Sequence, residues 1–271
     1  MPKLEPPLTA SANILPSTLS FEPRGAIGVL RLARAARRNA LDLPTIAGLE
    51  RFFAAPPPGV KTIVLAGEGA HFCAGLDLAE MTEKSVTEGI EHSRQWHRAF
   101  AAIEFGAVPV ICALQGAVIG GGLELAAAAH VRVAEASAWY ALPEGTRGIF
   151  VGGGGAVRLP RLIGVSRGME MMLTGRVYSA EEGQTLGLSH YLTAPGAGLA
   201  KALELAERIA QNAPMTNHAV LHVLPRIAEA SPDAGYAMEA MISAIAQAEP
   251  EAKARLRDFV EKRGPKVTPR G

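Results

Sequence analysis

Cysteine is scarce. Only Cys73 and Cys112 occur in 271 residues, and they form no CxxC pair, so neither a disulfide framework nor a structural zinc site is expected. There is no excess of either charge. The 27 Lys and Arg residues face 26 Asp and Glu, a net charge of +1, whereas a general nucleic-acid binder is visibly basic. No apolar run approaches the roughly 18–20 residues of a membrane span. The N-terminal stretch has no basic segment followed by an apolar one and is not Arg-rich. Secretion, organelle import and membrane insertion are therefore unsignalled, and a reduced, cytoplasmic location is expected. His218 and His222 stand four apart, but no HExxH surrounds them, so no metal site is expected. Nucleotide fingerprints fail as well. Gly120, Gly122 and Leu125 occupy the three positions of a GxGxxG, and no Lys-Ser or Lys-Thr pair follows a glycine run.

What the chain does have is apolar bulk and glycine: 48% hydrophobic residues, 29 Gly and 19 Pro. That suffices for one large domain or two small ones at roughly 150 residues each. Residues 1–17 hold four prolines without periodicity and read as a flexible arm. TLSFE and AIGVLRL flank Pro23-Arg24-Gly25 and predict a hairpin. A helix is expected over 45–53, a buried strand over 60–66, and a long amphipathic helix over 85–105 with Ile90, His97, Phe100 and Ala101 near one face. A second buried strand is expected over 108–114, followed by an Ala-rich helix over 120–129. Strands and helices alternate to about residue 150, after which helices dominate. This pattern predicts an α/β core over 18–197 and a helical region over 198–271.

Three segments combine unusual backbone chemistry with an acidic residue. They are HFCAGLDL at 71–78, GGGLEL at 120–125, and LPEG at 142–145 followed by Gly148 and the run Gly152–Gly155. Singly, such glycines most often mark tight turns, and a glutamate early in a helix is most often solvated. Together they suggest more. Glycines let backbone N–H groups approach a ligand, a helix N-terminus adds its dipole, and two N–H groups can hold a carbonyl that becomes an enolate. Two carboxylates beside it could move a proton and activate water.

Three longer stretches, HFCAGLDLAEM at 71–81, GAVIGGGLELA at 116–126 and LPEGTRGIFVGGGGAVRLPRLIG at 142–164, stand in the order found in the crotonase (enoyl-CoA hydratase/isomerase) superfamily. The chain resembles that family from about Leu19 to its end. The resemblance implies a ββα spiral core, a helical C-terminal region that makes trimers or dimers of trimers, and an acyl-CoA thioester as partner. No cofactor is implied beyond the coenzyme A of the substrate. It implies that the N–H groups of Leu76 and Gly121 form the oxyanion hole, that Glu124 activates water and that Glu144, twenty positions later, handles the proton at Cα. Gly152 matches a glycine of the water site. Ala36, Arg37 and Arg38, in the RAARRNAL stretch, together with Ala74, Asp77, Leu78, Gly120 and Pro143, are implied to bind substrate or CoA. Departures are Val151, where many hydratases have Pro, and Ala156, where they have Thr or Ser. The absence of an acid at Gly152 disfavours a dienoyl-CoA isomerase. The expected activity is hydration of a trans-2-enoyl-CoA. A Δ3,Δ2-enoyl-CoA isomerase or related lyase is the alternative, and a non-catalytic scaffold or RNA-binding protein is the alternative of another class.

Overall fold

The hairpin forms where the sequence predicts it. In a computed structural model describing residues 15–261 and 263, β1 (Leu19–Arg24) and β2 (Ile27–Leu32) pair antiparallel, and Gly25, at φ +63°, supplies the turn. The arm expected over 1–17 lies outside the described residues up to position 14. From there Pro16 packs on Gly48, and its carbonyl accepts from the N–H of Leu19.

Chain reversals through helices then build a mostly parallel sheet. α1 (Leu43–Ala54) starts at Asp42, whose carboxylate accepts from the N–H of Thr45 at 2.9 Å, with Pro44 in its first turn. β3 (Thr62–Gly67) follows, then α2 (Val86–Glu104), capped by a reciprocal Ser85–Glu88 box, and β4 (Val110–Leu114). β5 (Ala117–Ile119), α3 (Gly121–Ala128), β6 (Val131–Glu135) and β7 (Trp139–Ala141) come next. After them run α4 (Gly155–Ile163), α5 (Val165–Thr174), β8 (Tyr178–Ser179), α6 (Ala180–Leu186) and β9 (Tyr191–Thr193). The main sheet has the order β1-β2-β3-β4-β6-β9, and a small sheet has the order β5-β7-β8. The interior strands read as continuous apolar runs because both faces are covered. Val110–Leu114, for example, is buried throughout.

Two expectations need correction. The buried stripe of α2 is Trp96, Ala99, Phe100 and Ile103, whereas Ile90 is about half exposed and His97 is exposed. The 3.6-residue period holds with another phase: the buried stripe runs through Trp96, whose ring lies against Phe100 and the helix start at Gly121. Strands β5 and β8 were not anticipated either. At three and two residues they carry no readable alternation and exist through their pairing with β7.

The chain divides into two compact units, one ending at Glu207 and one beginning at Arg208, so the division falls inside α7 (Gly198–Ala210) rather than at 197/198. Ala202 and Leu205 of α7 are buried in the first unit. The second unit holds α8 (Pro214–His218), a π-helical turn over Ala219–Val223, α9 (Leu224–Glu229), α10 (Pro232–Ala248) and α11 (Pro250–Val260). His218 and His222 stack here with ring centroids 4.4 Å apart. Among the described residues no group of three or more acidic, His or Cys side chains could hold a metal, and no helix is long and apolar enough to cross a membrane.

Candidate active site

The loop leaving β3 turns back along β5. The N–H groups of Phe72 and Cys73 donate to the carbonyls of Gln115 and Ala117 at 2.7 and 3.0 Å, and that of Ile119 returns to Cys73 O at 3.1 Å. Gly75 sits at φ +91°, and a Cβ there would lie 2.8 Å from Ile119 O. Only glycine makes that turn without strain. The next residue, Leu76, forms a parallel bridge with Leu41 in which Leu41 N–H bonds Gly75 O and Asp77 N–H bonds Leu41 O. In such a bridge the N–H of Leu76 itself points away, and it has no partner among the described residues.

The second amide comes from a helix start. Gly120 (φ +51°) anchors its N–H on Ala141 O, and α3 begins at Gly121, whose N–H is one of the orphan donors of a helix N-terminus. The two amides are neighbours. A Cβ on Gly121 would lie 3.5 Å from Leu76 N, and one on Gly75 would lie 3.2 Å from Gly121 N.

One turn into α3, Glu124 points into the fold and is 3% exposed. Its Oε1 accepts from the N–H groups of Gly153 (2.9 Å) and Gly155 (2.7 Å). Burial pushes its pKa up to about 7, nearby Glu144 pushes the same way, and the two amides and Arg158 oppose. Glu144 precedes a 3-10 turn (Gly145–Arg147) and is 9% exposed. Burial raises its pKa as well. Its Oε1 lies 2.5 Å from where a Cβ on Gly120 would stand, and its buried Oε2 has no partner.

Leu76, Gly121, Glu124, Glu144 and Gly152 share one cavity of about 160 Å³. His92, Ser93 and Trp96 of α2 complete it, with Ile149, Phe150 and Gly153. Among the aromatic side chains, Trp96 and Phe150 line the cavity, Phe100 is fully buried behind Trp96, and Trp139, in β7, is not part of the lining. The remaining candidates stay outside the lining. Ala36, Arg37 and Arg38 are exposed, and Ala74 N–H donates to Arg38 O at 2.9 Å, which joins that segment to the loop. Leu78 is exposed, Gly120 lies beneath Glu144, and Pro143 O accepts from the Thr146 hydroxyl.

Asp77 faces away from the cavity. Its carboxylate accepts from Ala79 N–H and pairs with Arg34 at 2.7 Å, and both contacts hold its pKa below the usual range. Arg34 also donates to Ala40 O and lies 3.3 Å from Asp42. Removing it leaves a buried carboxylate short of a partner. Arg34→Ala is therefore expected to cost about 1–3 kcal/mol, read as a lower urea midpoint.

Several positioning residues escaped the sequence reading. Asn39, at φ +56° and fully buried, donates to Glu68 O and His71 O and accepts from Arg34 N–H, pinning the loop. His71 Nδ1 accepts from Ala117 N–H. The Cys73 thiol donates to Asn39 O and is pushed up to about 12 by burial, which suits a packed residue and not a nucleophile. A larger cavity of about 360 Å³ at the carboxyl ends of β3 and β4 holds Arg31, Gln115 and Glu135, but not Leu76, Gly121, Glu124 or Glu144.

The sequence matches the enoyl-CoA hydratase/isomerase family profile over residues 22–270. It is 31% identical over 249 residues to the enoyl-CoA hydratase EchA19 of Mycobacterium tuberculosis, covering 90% of this chain and 94% of that one. It is 40% identical over 157 residues to YngF of Bacillus subtilis, provisionally assigned as an enoyl-CoA hydratase/isomerase, covering 58% of this chain and 60% of that one. A solved structure from Rhodopseudomonas palustris CGA009, provisionally assigned as an enoyl-CoA hydratase, superposes with a TM-score of 0.89 at 56% identity. It covers 91% of this chain and 95% of its own.

Proposed function

Because the chain belongs to the enoyl-CoA hydratase/isomerase family of enzymes and carries the crotonase fold, we propose that it catalyses the reversible syn addition of water to a trans-2-enoyl-CoA. The observation that carries this reading is one cavity onto which two unpaired amides and two buried carboxylates open.

The N–H groups of Leu76 and Gly121 receive the thioester oxygen and stabilise the charge that grows on it as the enolate forms. Glu124 acts ionised. With Oε1 tied to two amides, its other oxygen draws a proton from water as the water oxygen bonds Cβ. Glu144 acts protonated, and its unpartnered Oε2 is the group that delivers a proton to Cα. The gained and lost protons exchange through solvent before the next turnover. The thioester itself acidifies Cα, so this mechanism needs no metal or redox cofactor. Ala36–Arg38 would meet the CoA moiety, and a cytoplasmic setting fits this metabolism. Loss of enoyl absorbance with crotonyl-CoA tests the reading, and a folded chain that leaves crotonyl-CoA unhydrated would refute it.

The charge states set the pH dependence. Glu124 must lose its proton to act, and its pKa stands at about 7. The rate constant kcat/KM is therefore expected to fall about tenfold per pH unit below about 7. A profile that stays flat down to pH 5 would exclude Glu124 as the base.

Self-association is proposed from the second unit. Tyr236, Met241 and Ile245 of α10 and Leu256, Phe259 and Val260 of α11 are all at least half exposed. Exposed apolar side chains on two successive helices favour a covered interface, which a trimer or paired trimers would supply. Light scattering is expected to give three or six times the chain mass. A dilution-stable monomer would remove the proposal.

A further inference from the structure

A cavity of about 160 Å³ is small for a ligand site, since such sites commonly span about 300–1,000 Å³. At a water's share of about 30 Å³, it holds about five water-sized groups. A four-carbon enoyl group, with its carbonyl oxygen, is five heavy atoms.

On its α2 side this cleft is lined by His92, Ser93 and Trp96, of which Trp96 alone is buried. Its indole is 4% exposed and spans the site. The six-membered edge lies 2.6 and 2.9 Å from where a Cβ on Gly121 would stand, and 3.1 Å from one on Gly153. The ring thus reaches from one candidate hole amide to one of the amides that hold Glu124. It is backed edge-on by the fully buried Phe100, at a centroid distance of 5.5 Å, and flanked by His92 at 5.9 Å. Phe100 and His92 thus hold the ring on two sides.

We propose that Trp96 is a specificity-determining residue that limits the acyl chain to about four carbons, an inference that rests on the enoyl-CoA reading of the cleft. A longer chain would have to displace the indole or leave past Ile149 and Phe150. Those two residues also line a separate apolar cavity of about 380 Å³ with Leu142, Leu159, Met169 and Met172, which is the rival route.

The full-length protein is assayed with crotonyl-CoA and trans-2-octenoyl-CoA, as wild type, Trp96→Phe, Trp96→Ala and Phe150→Ala. Calorimetry with butyryl-CoA and octanoyl-CoA reads the size limit without chemistry. In wild type, kcat/KM is expected to favour crotonyl-CoA by at least about 100-fold, given the roughly 10–200-fold cost of one misplaced methylene. The ratio should fall at least about tenfold in Trp96→Ala and by less in Trp96→Phe, and Phe150→Ala should keep it. Trp96→Phe decides the matter if circular dichroism shows that Trp96→Ala has not folded. Three results would overturn the proposal: near-equal use of both lengths by wild type, an unchanged ratio in the folded Trp96 variants, or collapse of the ratio in Phe150→Ala alone. If neither enoyl-CoA is hydrated but butyryl-CoA still binds at least about tenfold tighter than octanoyl-CoA, the size limit stands and the hydration reading falls. Equal binding, or none, overturns the size limit as well.

Discussion

Glu144→Gln is expected to abolish hydration of crotonyl-CoA and isomerisation of a 3-enoyl-CoA alike, because both need an acid that can exchange a proton at Cα. Glu124→Gln is expected to separate them. The glutamine Oε1 can still accept from Gly153 and Gly155, so the side chain keeps its place, but it cannot draw a proton from water. Hydration should fall by about 10²–10⁴, the usual contribution of a positioned base. A double-bond shift carried by Glu144 alone should fall much less. The variant should also be at least as stable as the parent above pH 7, since it no longer buries a charge. If hydration survives in Glu124→Gln, the two-carboxylate mechanism is wrong, and water activation must come from Glu144 or another group.

Leu76→Pro should cost about two to three orders of magnitude in kcat, equivalent to about 2.7–4 kcal/mol, by deleting one donor of the hole. The neighbouring bridge bonds use the carbonyl of Gly75 and the N–H of Asp77, so proline at 76 removes no bond that holds the loop. Leu76→Ala keeps the N–H and is expected to retain most activity. Circular dichroism and acyl-CoA binding must accompany the comparison, because proline also restricts Gly75. A folded, binding-competent Leu76→Pro with wild-type turnover would place the donor elsewhere.

Much of the architecture was legible because it is written locally. Pro44 marks the first turn of α1, and unbroken apolar runs mark β3 and β4. The placement of the glycine runs at strand-to-helix turns was legible for the same reason. What each glycine is for was not. A Cβ on Gly120 would meet Glu144 Oε1 at 2.5 Å, and one on Gly121 would meet the Trp96 ring at 2.6 Å, contacts between segments well separated in sequence. The role of Asn39, and of Gly153 and Gly155 within the glycine run, was not legible because it is done by long-range hydrogen bonds that leave no periodicity. The error on α2 has the opposite cause: periodicity was present, and tertiary packing decided which phase of it is buried.

Both thiols of this chain are shut away. Cys73 under the loop and Cys112 in β4 are fully buried, and both are pushed up to about 12. At neutral pH the folded protein therefore offers oxidants and alkylating agents almost no thiolate, so the first step to a sulfenic acid has nothing to act on. Cys73 also hydrogen-bonds within the same loop that presents Leu76, so it becomes reactive only when that loop lifts from β5. Slow labelling of Cys73 in the native protein is therefore the expected outcome, and fast labelling would show that the loop is not seated as described.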